Sequence, residues 1–231
     1  MKKVVIYILS VICAVCILLA LVFSAMQVVI FDEARFHKSY EENDLYEFIG
    51  IDKDDLHEVT HEMMQYLHGR RDDLIMHAEI RGEYQQVFEE REIAHMVDVK
   101  KLFMGGFAIR NIAAMIAGAL LVILFASFRK KMIKPMCVSY LWVTGAMLVI
   151  AAVLGVIMAT NFDALFLKFH LMFFDNDLWL LDINTDVLIQ MLPESFFNSL
   201  ALAIVGYLAA FILVPAAGAG AYLIVNKKKN G

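Results

Sequence analysis

Cysteine is scarce in this chain, and none of it is placed for outward chemistry. Cys13, Cys16 and Cys137 all lie in or beside long apolar runs. That excludes a disulfide framework or a cysteine nucleophile in any aqueous part of the molecule. Cys13 and Cys16 form a CxxC pair, but inside an apolar helix this spacing reads as packing. Proline is equally rare, at Pro135, Pro193 and Pro215, and there is no internal repeat or low-complexity linker. No phosphate-binding loop or dinucleotide fingerprint occurs, so no nucleotide or other cofactor is expected, and nucleic acid is not an expected partner.

Acidic residues are missing where they matter for topology. Lys2 and Lys3, the group Arg129, Lys130, Lys131 and Lys134, and Lys227 to Lys229 make nine basic residues in three segments that hold no acidic one. These segments flank four apolar runs, at about 4–31, 102–128, 136–161 and 199–225. Each run exceeds the roughly 20 residues that cross a bilayer. The chain is 61% hydrophobic with positive mean hydropathy, which points to the lipid bilayer as its solvent. The first run is too long for a signal-peptide core and is expected to be an uncleaved anchor. The positive-inside rule puts both termini and the 129–134 loop in the cytoplasm, and four crossings satisfy it without conflict.

Two segments then face outward. Residues 32–101 carry 19 acidic and 9 basic residues, a net charge of −10. Asp52 precedes an acidic helix start, Leu56, Val59, Met63 and Leu67 follow at helical spacing, and Gly69 stops the run. A second helix is expected from about Arg71 to Glu90, making the whole segment a small helical cap. Residues 162–198 form the other outer segment. The stretch 162–174 is apolar nearly all round but too short to span, so it is expected to lie in the membrane interface or under the cap, with Trp179 at interfacial depth. The expected fold is an all-α membrane protein with four transmembrane helices, cytoplasmic termini, an extracytoplasmic cap at 32–101 and an interfacial segment at 162–198. All seven histidines lie in the two outer segments.

One histidine motif invites a metal. HEVTH, residues 57–61, matches H-E-x-x-H, which sets two imidazoles on one helix face around zinc with a glutamate as base. A catalytic zinc needs a third protein ligand. The extended motif fails here, because Met64 stands where glycine is needed and Leu67 where the third histidine is needed. Glu79 and Glu83 are the candidates left in reach. The bland alternative, a solvated helix edge in a histidine- and glutamate-rich loop, is preferred, and no metal is expected.

Two other stretches are more specific: REIAHMVDVKKLF at 91–103 and FHLMFFDNDLWLLDINTDVLIQMLPESFF at 169–197. With the four-run topology they resemble the lipoprotein intramolecular transacylase (Lit) family of bacterial integral membrane proteins. The H-M-x-D-V-K and F-H…F…W…T-D-x-L-I…P-x-x-F-F elements stand in that order, with Ile183 where a proline is expected. The resemblance implies an acyltransferase of the cytoplasmic membrane, working on its extracytoplasmic face. Its substrate class is diacylated bacterial lipoproteins. One acyl chain moves from the glyceryl sn-2 ester to the α-amine of the N-terminal cysteine, giving a lyso-form lipoprotein. It further implies that His95 and His170 are the catalytic pair.

The residues themselves fit that assignment and also fit blander ones. Each histidine sits close to the end of an apolar run, where a lipoprotein's ester would lie, and each could be an ordinary interfacial residue. Histidine titrates nearest neutrality, so it suits both taking a proton from the amine and giving one to the leaving alkoxide. Phe169, Leu171 and Phe173 would favour a neutral His170. Asp98, three residues after His95, either orients that imidazole, caps a helix or pairs with Lys101; Glu92, three before it, is equally ambiguous. Arg110 stands inside the second apolar run, an expensive place, where it either holds a substrate carbonyl or oxyanion or snorkels outward. Asp182, Thr185 and Asp186 read as a turn and helix cap. Two rival functions remain: a zinc metallopeptidase built on HEVTH, and a non-enzymatic membrane protein whose acidic cap binds a partner.

Overall fold

The computed structural model describes residues 2–229. The protein is a predominantly helical membrane protein. Among the described residues, three helical stretches are long and apolar enough to cross a membrane: Lys2–Ile30, Glu90–Thr160 and Glu194–Lys228. The second has 71 residues, over three times the roughly 20 that one crossing needs. It is not one rod. α5 (Glu90–Phe128) ends in a 3-10 turn at Arg129–Met132, where Arg129 takes a left-handed φ of 50°, and α6 (Ile133–Thr160) follows.

The chain divides into two compact units. The first holds residues up to Gln27, Phe107–Val156, and those from Leu202 onward. It contains most of α1 (Lys2–Ile30) and of the final helix, α9 (Glu194–Lys229). Its packing shows how α5 and α6 run. Ile6 and Cys13 of α1 cluster with Leu124 and Met132, and Cys13 Sγ donates to the Ala117 carbonyl at 3.7 Å. Ala14 and Leu18 cluster with Tyr140 of α6 and Ile212 of α9. Low numbers on α1 therefore meet high numbers on α5, whereas numbers on α1 and α6 rise together. α5 is antiparallel to α1, α6 is parallel to it, and the chain reverses at the basic 129–132 turn. Cys13 is a fully buried packing residue, in keeping with an apolar reading of CxxC.

The second unit holds Val28–Gly106 and Ile157–Ala201. Three helices open it: α2 (Glu33–Glu42), α3 (Leu45–Ile49) and α4 (Lys53–Leu67). α4 begins where the Asp52 side chain accepts the Asp54 N–H and ends before Gly69 at φ 75°. Its stripe of Leu56, Val59, Met63 and Leu67 is buried. Tyr40 of α2 meets Thr60 of α4 through a 2.7 Å hydrogen bond.

The helix expected from Arg71 to Glu90 is not there. A β-hairpin stands in its place, β1 (His77–Ile80) against β2 (Glu83–Gln86). The cause is local. Arg81 and Gly82 both have positive φ, 54° and 85°, the signature of the two-residue turn whose twist suits a hairpin. Along β1 burial alternates, with Ala78 and Ile80 inside and His77 and Glu79 outside. That is period two, which a helix cannot satisfy. The hairpin is tied back where Arg81 N–H donates to the Gly50 carbonyl at 2.6 Å, beside an Ile51–Ile80 bridge.

Gly50 is required there. Its φ is +79°, and a Cβ would sit 2.5 Å from Arg81 Cγ. We expect Gly50→Ala to lower stability by about 1–3 kcal/mol, read as a drop in the unfolding midpoint of the detergent-solubilised protein. An unchanged midpoint would mean that the hairpin anchor contributes nothing.

The remaining elements of this unit are α7 (Phe162–Phe173), α8 (Val187–Gln190) and the start of α9. α7 is capped by the Asn161 side chain, which accepts from Ala164 N–H. It leaves Leu171, Met172 and Phe173 exposed, the composition of an interfacial helix. Before α8, Asp182 accepts N–H bonds from Thr185 and Asp186, and Asp186 stands at the N-cap, as the T-D pattern suggested.

Candidate active site

The second unit brings His95 and His170 together. α5 starts at Glu90, ahead of its apolar run, so His95 is carried on the first turns of that helix. His170 lies one turn before the end of α7. Their ring centroids are 6.0 Å apart. The two residues are 7% and 6% exposed, respectively. Phe174 packs on both, 5.2 Å from His95 and 5.5 Å from His170. Phe166 and Trp179 close on His170 at 4.1 and 4.8 Å.

The hydrogen bonds separate the two imidazoles. His170 Nδ1 lies 2.8 Å from the Phe166 carbonyl, one helical turn back. A carbonyl only accepts, so Nδ1 carries the proton and Nε2 carries the lone pair. His95 Nδ1 is buried without a hydrogen-bond partner. Burial pushes His95 down to about 4, with His170 adding and Asp98 opposing. Burial also lowers His170, while its bond to the Phe166 carbonyl works the other way. Both imidazoles are therefore neutral at pH 7, the protonation state a general base needs.

The supporting carboxylates do something other than hold His95. Glu92 is fully buried. Its Oε2 accepts the Glu89 N–H at 2.6 Å and its Oε1 accepts the Leu188 N–H at 2.7 Å. It thus pins the first turn of α5 to the first turn of α8. Burial pushes it up to about 7 against the pull of those two N–H groups. Asp98 accepts from Asn176 Nδ2 at 2.8 Å and from Lys101 Nζ at 3.0 Å, which hold its carboxyl below the ordinary range. Of the alternatives for Asp98, the structure shows the Lys101 pair plus an unforeseen partner. Arg110 belongs to the other unit, where its guanidinium donates to Asn111 Oδ1 and lies over the Phe107 ring.

HEVTH is committed elsewhere. His57 Nε2 meets the Tyr46 hydroxyl at 2.9 Å, and its ring stacks on His37 at 3.5 Å. His61 Nδ1 bonds Glu33 at 3.0 Å. The two imidazoles serve different neighbours. Among the described residues no group of three or more His, Cys, Asp or Glu side chains is arranged to hold a metal ion. The motif's two histidines lie on the face by which α4 meets α2 and α3.

Sequence reading missed Phe166, Phe174 and Asn176 at the site. The two phenylalanines were findable, since they stand four residues either side of His170. Asn176 gave no signal, because its partner is 78 residues away.

The chain is similar over 99% of its length to the membrane-integral lipoprotein intramolecular transacylase Lit from Bacillus cereus, all of whose chain is covered, at 19% identity and a TM-score of 0.77. Two variants of the Bacillus cereus protein, with a histidine changed to arginine or to alanine, match the whole of this chain at 19% identity and TM-scores of 0.74. They are covered over 96% and 98% of their length. At that identity the likeness shows a common fold. No curated protein gives a match. The family model for the lipoprotein intramolecular transacylase Lit matches residues 11–197, a span that takes in both buried histidines. The chain belongs to the lipoprotein intramolecular transacylase (Lit) family.

Proposed function

We propose that this membrane transacylase moves the sn-2 acyl chain of a diacylglyceryl-modified lipoprotein to the α-amine of the same lipoprotein's N-terminal cysteine, with His95 and His170 as its catalytic pair. The observation that carries the residue assignment is the pair itself: two buried imidazoles 6.0 Å apart, one with its Nδ1 bonded to a backbone carbonyl.

The chemistry balances with these groups. The substrate amine arrives as an ammonium. One imidazole takes its first proton, which leaves to solvent. The free amine attacks the ester carbonyl, forming the C–N bond. His170 Nε2 takes the second proton and returns it to the glyceryl oxygen as the ester C–O bond breaks. Amide, free hydroxyl and one released proton are the products. Ester-to-amide transfer is downhill, so no external energy source is needed. Each such proton transfer by a positioned side chain is worth about 10²–10⁴-fold.

In the same reading the chain crosses the cytoplasmic membrane four times, with both termini and the 129–134 turn in the cytoplasm. The clustering of nine basic residues at one end of the apolar runs and the reversal of the chain at 129–132 support that count. The cap and the histidine pair then face outward, where a lipoprotein keeps its acyl chains in the outer leaflet and its peptide in water.

A crossover experiment tests the reaction class. Two synthetic diacylglyceryl-cysteine peptides of different mass, one with an isotope-labelled sn-2 chain, are mixed with the purified protein in lipid. The label is expected only on the amine of its own peptide. Label on the other peptide, or in free fatty acid, would show intermolecular transfer or hydrolysis instead. Replacing both His57 and His61 by alanine is expected to leave product formation intact, and its loss would return HEVTH to the site.

A further inference from the structure

We propose that Asp98 and Asn176 are positioning residues for His170, acting through Trp179. The inference rests on the reading of His170 as the base. Asp98 is three residues from His95 on α5, yet its two oxygens are taken by Lys101 and Asn176. Asn176 bonds through three of its polar groups. Its amide donates to Asp98 at 2.8 Å and its Oδ1 accepts the Leu178 N–H at 3.1 Å. Its backbone carbonyl accepts the Trp179 indole N–H at 2.9 Å. The Trp179 ring then lies 4.8 Å from the His170 ring at 30°.

A chain of contacts therefore runs from the helix carrying His95 to the far side of His170. The turn that carries Trp179 is tied to α5 a second time, where Arg91 donates to the Asp177 carbonyl and sits 3.6 Å from its carboxylate. Arg91 and Asp98 stand about one helical turn before and after His95. The same stretch of α5 thus sets the position of both imidazoles. His170 is held at Nδ1 by the Phe166 carbonyl, and its ring is packed by Phe166, Phe174 and Trp179. In this proposal Trp179 is the wall of that packing whose place is set from α5. The benefit is geometric: the proton acceptor stays within reach of the amine, and a misplacement of about 1 Å costs about 10²-fold in rate.

The test is a double-mutant cycle on the purified full chain in lipid, with a diacylglyceryl-cysteine peptide as substrate. Asp98→Ala and Asn176→Ala are each expected to lower kcat by about 10–10²-fold with KM little changed. The double variant is expected to be no slower than the worse single, because one hydrogen bond is lost in all three. The exchanged pair, Asp98→Asn with Asn176→Asp, rebuilds that bond with its polarity reversed and is expected to recover the rate. Trp179 emission, read in a Trp142→Phe background, should shift in either alanine variant and return in the exchanged pair. A purely structural role would not produce that parallel recovery. Wild-type kcat in Asn176→Ala, additive losses in the double variant, or an exchanged pair as slow as the singles would overturn the proposal. If His170→Ala is inactive while Asn176→Ala runs at the wild-type rate, this proposal alone fails. If His170→Ala keeps the wild-type rate, the assignment of the base fails with it.

Discussion

His170→Ala is expected to remain folded in the membrane and to lose transacylation by about 10²–10⁴-fold or more, the worth of a positioned general base. The substitution removes the one site nitrogen whose lone pair is assigned by a hydrogen bond, Nε2 opposite the Nδ1–Phe166 contact. It also leaves a gap beneath Trp179 and Phe166. The gap costs packing, so the amount of folded protein must be measured beside the rate. His95→Ala is expected to be comparably slow. The double variant should be little slower than either single, since groups that act as a unit are not additive. Initial rates of amide formation, normalised to folded protein, decide this. Rates within a few-fold of wild type in either single variant would remove that residue from the chemistry.

The second large effect is on stability. Glu92→Ala is expected to destabilise the protein by about 2–6 kcal/mol. Two backbone N–H groups, of Glu89 and Leu188, lose a buried acceptor, and each orphaned donor costs about 1–3 kcal/mol. Its titration gives a second handle. Glu92 is raised from 4.5 to about 7, so the folded state holds its proton more tightly than the unfolded state does. The resulting stability is present below pH 4.5 and is lost as pH rises through 7. His95 is the mirror case. It is lowered from 6.5 to about 4, so its contribution is present above pH 6.5 and is lost as pH falls through 4. Each shift corresponds to about 3 kcal/mol, and the two windows overlap with opposite sign. Burial of His170 adds to the His95 side. The wild-type unfolding midpoint should therefore change little between pH 5 and 7 on account of these groups. Glu92→Gln removes one arm, and the variant should lose about 2 kcal/mol on acidification from pH 7 to pH 5. Parallel pH profiles for wild type and variant would contradict this balance. Thermal unfolding in detergent, followed by circular dichroism across that range, reads both effects.

How much of this was legible in the sequence depended on distance along the chain. Local patterns were readable: the Asp52 cap, the buried stripe of α4, the Asp182–Asp186 turn and the apolar helix after Asn161 all follow from neighbours within a few residues. The hairpin at 77–86 was equally local and was misread. Its charged outer face resembles a solvated helix, and only the even spacing of Met76, Ala78 and Ile80 ahead of Arg81-Gly82 gives it away. The pairing of His95 with His170 was anticipated through family resemblance. Composition and spacing could place each histidine near the end of an apolar run but not against the other. The roles of the carboxylates were beyond reach. Glu92 and Asp98 are each one helical turn from His95, so spacing alone offered both as partners for it. In the fold they turn to Leu188 and Asn176, across sequence separations of 96 and 78 residues. Arg110 stood out because of its cost in an apolar run, and its neighbours in the structure are Asn111 and Phe107.

The most direct test of the account is fragmentation mass spectrometry of lipoprotein N-terminal peptides from a host that makes only diacylated lipoproteins and expresses this chain. Intramolecular transfer leaves the total mass unchanged, so the fragments must locate the acyl group. One acyl chain is expected on the cysteine α-amine and one left on the glyceryl group, with the wild-type chain and not with His170→Ala. Peptides that keep both chains on the glyceryl group and a free amine, while the wild-type protein is present and folded in the membrane, would contradict it.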